Sequence, residues 1–204
     1  MRRIAVIVAM VTAGSAAAQT GQTDALGGTL RAVVQMDAQL YVRDSVLDPA
    51  GDYYPDERAL GQGWALFTYE RGNLRMGMRY ENYQNAILGF PTGYRGEGIT
   101  YRYAQWQQGK FDITVGNFFE QFGQGLVFRA YEERGLGLDN AMDGSRIIAR
   151  LPKGLTLKGV IGRQRVYFAK SDGILRGTDA EWALREAVPA LDKMGLGINL
   201  GASF

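Results

Sequence analysis

The chain has 204 residues, with 28 glycines against 5 prolines, 11% aromatic residues, and neither cysteine nor histidine. That length suits one domain with a real core, and the balance of glycine and aromatics is that of a turn-rich β protein. Without Cys or His, thiolate chemistry, disulfides, His-ligated metals and histidine-dependent catalytic triads are all excluded.

Residues 1–18 read as an export signal. Arg2 and Arg3 form a basic start, 4–11 an apolar run, and Ala16, Ala17 and Ala18 supply the small residues a signal peptidase requires. The run is far short of the roughly 20 residues that a spanning helix needs. Removing Arg2 and Arg3 leaves 21 basic against 21 acidic residues. The basic excess that nucleic-acid binding demands is then missing. With no long apolar helix in the sequence, entry into a membrane is expected only as a β-barrel.

Residues 19–27 form a polar linker, and 28–204 are expected to be one β-barrel domain. The strongest strand is 30–43, where Leu30, Ala32, Val34, Met36, Ala38, Leu40 and Val42 alternate with a mostly polar face. Strands at 63–70 and 74–82 follow, joined by Arg71-Gly72-Asn73. Then come 98–107 and 111–116, joined at Gln108-Gly109-Lys110, and later 146–151 and 155–168, joined at Pro152-Lys153-Gly154. The apolar phase of 155–168 slips from Leu155, Leu157 and Ile161 to Val166 and Phe168, which predicts a bulge near Gly162. Residues 174–184 form a strand leading into a helical turn at 186–191, and 196–204 alternates to its end.

Two regularities favour a membrane barrel. Connections alternate long and short, as outer loops and periplasmic turns do. Aromatics (Tyr41, Trp64, Tyr69, Tyr80, Trp106, Trp182) crowd the strand ends, where interfacial girdles lie. The expected fold is therefore all-β, an antiparallel transmembrane β-barrel or partial barrel of about 8–10 strands. Nine strands are counted, an awkward odd number for a single-chain barrel. Alternation does not say which face points inward, so an exported soluble barrel that binds a small lipophilic ligand remains the alternative.

Residues 116–146, GNFFEQFGQGLVFRAYEERGLGLDNAMDGSR, refuse any simple period and are expected to fill the barrel as a Gly- and charge-rich internal segment. Glu120, Arg129, Glu132, Glu133, Arg134, Asp139, Asp143 and Arg146 are its charged residues, facing Arg75, Arg79 and Arg102 on the walls. Such opposed charges form either a constriction that selects solutes or an ionic network that only fills and stiffens the interior. That string, with GILRGTDAEW later in the chain, resembles a family of outer-membrane β-barrel proteins typical of Bacteroidetes-type bacteria. The resemblance implies location and fold without an activity. Members of that family tend to be longer, which implies a truncated chain here.

Other chemistries fare worse. The stretch 139–144 lacks the middle ligand of an EF-hand loop, and Arg150 stands where its bidentate Glu belongs. Asp48, Asp52 and Asp56 are a weaker set for a divalent ion or for the cations of lipopolysaccharide. Gly123-Gln124-Gly125 lacks the third glycine of a dinucleotide loop. Glu132 and Glu133, being adjacent, point apart on an extended chain, and Ser145 has no histidine to activate it. No enzyme activity, cofactor or metal is expected. The expected role is an outer-membrane channel, porin-like, or the membrane component of a larger assembly, with outer-membrane lipid and lipopolysaccharide as surroundings.

Overall fold

The computed structural model describes residues 19–42, 44, 46, 49–51 and 58–204. The expected signal peptide and Asp48, Asp52 and Asp56 lie outside the described residues.

The strands follow in chain order as β1 (Gln19–Ala25), β2 (Gly28–Leu40), β3 (Ala59–Arg71), β4 (Leu74–Asn85), β5 (Glu97–Gln108) and β6 (Phe111–Phe118). The internal segment contributes four two-residue strands: β7 (Glu120–Gln121), β8 (Arg129–Ala130), β9 (Glu132–Glu133) and β10 (Leu138–Asp139). Then come β11 (Met142–Arg150), β12 (Leu155–Val166), β13 (Ala169–Lys170) and β14 (Leu175–Ala183). Two short helices, α1 (Leu184–Ala187) and α2 (Pro189–Lys193), precede β15 (Asn199–Ser203).

One antiparallel sheet holds eleven strands in the order β1-β2-β3-β4-β5-β6-β11-β12-β14-β15, with β13 beside β12. It is open: β1 and β15 do not pair with each other, so of the expected barrel or partial barrel the closed form is corrected to a curled sheet. The ten strands of the main path include one that periodicity missed. The expected linker 19–27 contains β1, which pairs from Gln19↔Val34 to Ala25↔Gly28. Its sequence, QTGQTDA, has no apolar alternation to announce a strand. Counting it makes the meander even and leaves β1 and β15 antiparallel to one another.

The curl can be read from one contact. β4 and β12 lie four strand steps apart, an arc of about 19 Å at ~4.8 Å per step. Yet Arg165 on β12 reaches Glu81 on β4 at 2.6 Å. Glycines permit such bending: Gly116, Gly144 and Gly162 stand side by side on β6, β11 and β12. A Cβ on Gly144 would lie 2.0 Å from the Ile161 carbonyl oxygen, so the close approach requires glycine there.

Curling separates the two faces of every strand. Val34, Met36 and Leu40 on β2, Met76, Met78 and Tyr80 on β4, and Ile147, Ile161 and Trp182 further round all point outward and are exposed. Arg79, Glu81, Asp112, Thr114 and Asp179 point inward and are buried. The inner face is thus ionic, and the outer face is mostly apolar, with Arg102, Asp143, Arg163 and Arg176 toward its long-connection end. Phe118, Met142 and Val160 of the wall pack with Phe122, Phe128 and Ala130 of the internal segment in a small interior core.

The alternation of connections holds, with the turns at Leu26-Gly27, Gly72-Asn73, Gly109-Lys110 and 151–154 at one end of the sheet and the long connections at the other. α1 and α2 break the pattern, because the last connection at the short-turn end is also long. The expected helical turn is found here, divided by Pro189 at the start of α2. The expected bulge near Gly162 is absent, since β12 pairs with β11 without a break from Met142↔Gln164 to Arg150↔Thr156. What changes there is the partner: the ladder to β14 ends at Gly162↔Leu175, and Val166 turns back onto Ala169. Register shifts occur instead between Gly61 and Gly63 and between Arg79 and Tyr80.

Candidate functional site

The inner face carries two ion clusters, each joining the internal segment to the wall. In the first, Arg79 of β4 meets three carboxylates. Its Nη1 is 2.9 Å from Glu132 Oε1, its Nη2 is 2.5 Å from Asp139 Oδ2, and its Nε is 2.6 Å from Glu81 Oε1. The last is an ion pair lying off the hydrogen-bond line, since Nε has no aligned acceptor. Arg165 of β12 closes the ring, donating to Asp139 Oδ2 at 2.5 Å and to Glu81 Oε2 at 2.6 Å. Arg134 adds a third guanidinium, 2.9 Å from Glu132 Oε1, with its Cζ over the ring of Trp64, 3.8 Å from the centroid. Three acids face three bases, and Arg79, Glu81, Asp139 and Arg165 are each about 4% exposed or less. Taking charges so far from water is sustained only when every charge has its partner, as here.

Glu81, Glu132 and Asp139 have carboxylate oxygens within 4.8 Å of one another, close enough to hold a metal ion. The guanidiniums of Arg79 and Arg165 already bind those oxygens. The donor set is thus already engaged by arginine. The Asp139 of the rejected calcium reading also accepts the Ala141 N–H at 3.0 Å, the usual turn-forming use of an Asp.

The second cluster lies nearer the short-turn end. Arg146 of β11 donates to Asp112 Oδ1 and Thr114 Oγ1, both at 3.1 Å, and to Glu120 Oε2 at 3.2 Å. Lys158 of β12 donates to Glu181 Oε1 at 2.8 Å and to the Gln121 carbonyl at 2.9 Å. Asp179, almost fully buried, accepts from Ser203 of β15 at 2.7 Å and lies 3.6 Å from Lys158.

Above the first cluster, at the long-connection end, an aromatic cap closes over the interior. Tyr83, Phe90, Tyr94 and Phe168 meet ring to ring, and Tyr94 stands edge-on to Tyr167 at 4.9 Å between centroids. Burial pushes the Tyr94 hydroxyl well above the usual tyrosine range.

The sequence-derived residues divide accordingly. Arg79, Glu132, Arg134 and Asp139 meet in the first cluster, and Glu120 and Arg146 in the second. Arg75 faces inward beside them, paired with Glu70 at 3.1 Å. Arg102 does not belong to the interior: it pairs at 3.6 Å with Asp143, which also holds Lys170, away from both clusters. Arg129 is exposed and lies 4.2 Å from the ring of Tyr131, and Glu133 is exposed. Trp64, expected at a strand-end girdle, faces the interior under Arg134. Glu81, Asp112, Lys158, Arg165, Asp179 and Glu181 were not singled out. Their signal was present all the same, because Glu81 shares the polar face of β4 with Arg75 and Arg79.

Against known proteins, the model of one family, described as a family of unknown function (DUF6029), matches residues 1–204. The chain belongs to that family. No curated protein and no solved structure matches it. Family membership assigns no chemistry to the two clusters, so their role is argued from geometry alone.

Proposed function

We propose that this chain is an outer-membrane β-barrel protein, porin-like or the membrane component of a larger assembly, in which the internal segment is a plug pinned to the wall. The observation that carries this reading is the inversion of the sheet, with apolar side chains outside and ion pairs inside. A soluble barrel that stores a lipophilic ligand needs the opposite arrangement. A wall in lipid requires this one, because the bilayer solvates Met76, Met78 and Ile147 and the interior holds the charges.

Aromatics add support. Tyr69, Trp106, Phe111 and Trp182 sit on or beside the strand ends near the short turns, with the Tyr69 hydroxyl donating to the Leu26 carbonyl and the Trp182 indole to the Lys153 carbonyl. Rings tethered this way suit a membrane interface. The basic start and apolar run at 1–18 supply the route of export.

Fractionation tests the reading. Expressed with its own amino terminus in a Gram-negative host, the protein is expected in the outer-membrane pellet after a carbonate wash, with gel mobility that changes on boiling. Recovery in the soluble periplasm would overturn it.

A further inference from the structure

Between β3–β6 and the internal segment lies a cavity of about 370 Å³. Arg75, Arg79, Arg134 and Arg146 line it, with Glu132 as the one lining carboxylate. Of the other acids that balance these arginines, Glu81 and Asp139 are 4% exposed, Asp112 6% and Glu120 11%, against 33% for Arg134 and 53% for Arg75, while Glu70, the 35% exposed partner of Arg75, does not line the cavity. The first cluster is neutral and the second is short of bases, with Arg146 and Lys158 against Asp112, Glu120, Asp179 and Glu181, but the charge lining the cavity itself is positive.

The donors of these arginines are unevenly used. Arg134 spends Nε and Nη2 on Glu132, while its Nη1 and the Nε of Arg146 are buried and donate to no protein atom. Arg75 has Glu70 against its Nε. Aromatic surface completes the wall, since Tyr101 stacks on Phe119 at 5.3 Å and Tyr103 stands edge-on to Tyr101 at 5.6 Å.

We propose that this cavity binds a small solute bearing a carboxylate or phosphate group, gripped by Arg75 and Arg134 and flanked by the rings of Tyr101 and Tyr103. The planar fork of a guanidinium matches both kinds of anion, and its charge-assisted hydrogen bonds are strong where water is partly excluded. The inference concerns the inner face alone and does not rest on the outer face meeting lipid.

Trp64, beneath Arg134, is a built-in reporter. The full chain, refolded in detergent micelles with Trp106→Phe and Trp182→Phe, leaves Trp64 as the sole indole. Its fluorescence is followed while inorganic phosphate, or in a second arm malonate, replaces chloride at constant ionic strength. A saturable change in either arm, weakened about tenfold by Arg75→Gln and by Arg134→Gln, is the expected result. Arg102→Gln, away from the cavity, should leave the curve unchanged. Arg75 is half exposed, so its variant carries the test even if Arg134→Gln fails to fold. No saturation in either arm, or saturation unaltered by Arg75→Gln, would overturn the proposal.

Discussion

Asp139→Ala is the sharpest probe of how the internal segment is held. Asp139 Oδ2 takes hydrogen bonds from Arg79 and Arg165, each at 2.5 Å, and Oδ1 accepts the Ala141 N–H. Truncation removes one of three acids facing Arg79, Arg134 and Arg165, leaving a positive charge uncompensated where Arg79 and Arg165 are 3% and 4% exposed. Breaking a buried ion network by removing one partner costs about 3–5 kcal/mol, most of it the penalty of the orphaned charge. The loss should fall on the segment rather than on the sheet, whose ladders Asp139 does not join. Urea unfolding of the micelle-refolded protein would give the magnitude, and limited proteolysis within 119–141 would give the location. A double-mutant cycle with Arg165→Met should recover part of the cost, since the second change removes the stranded charge. A destabilisation below about 1 kcal/mol, or proteolysis that moves to the strands, would refute the reasoning.

Other substitutions test the faces and the bend. Met36→Arg, on the outward face of β2, should hinder membrane assembly by roughly 2–4 kcal/mol if it lies near mid-bilayer; assembly at the wild-type level, measured by heat-dependent gel mobility, would mean that this face does not meet lipid. Gly144→Ala should separate β11 from β12, because the new methyl would lie 2.0 Å from a backbone oxygen. Overpacking of this kind costs about 1–3 kcal/mol, read by urea unfolding. In the aromatic cap the folded state keeps Tyr94 protonated, because burial raises its pKa. That contribution to stability is complete below the ordinary tyrosine pKa of about 10, and falls as pH rises beyond it and the unfolded chain ionises. Tyr94→Phe should therefore lessen the alkaline loss of stability, seen in thermal midpoints measured on either side of pH ~10.

Alternation was enough to place most strands and to divide their residues between two faces, because a side-chain period of two survives whatever the strand packs against. It also marked 116–146 as the aperiodic piece, of which 119–141 is the internal segment while 116–118 and 142–146, with Asp143 and Arg146, belong to the wall strands β6 and β11; Glu120, Glu132, Arg134 and Asp139 do meet the wall from that segment. The sequence could not say which face lies inside, since a period has no sign. That was decided by the curl, which brings Arg165 onto Glu81 across four strand steps and puts the charges within. β1 escaped notice for a related reason: QTGQTDA forms a strand through backbone pairing with β2 and carries no apolar signal of its own. Arg102 was misplaced because on β5 it shares the exposed face of Ala104 and Trp106, while Tyr101, Tyr103 and Gln105 turn to the cavity, and its partner is Asp143. Pairs separated by 60 to 84 residues, such as Arg79 with Asp139 and Glu81 with Arg165, exist only once the sheet has bent. Local pattern fixes what each strand presents, and tertiary curvature alone fixes what each presented charge meets.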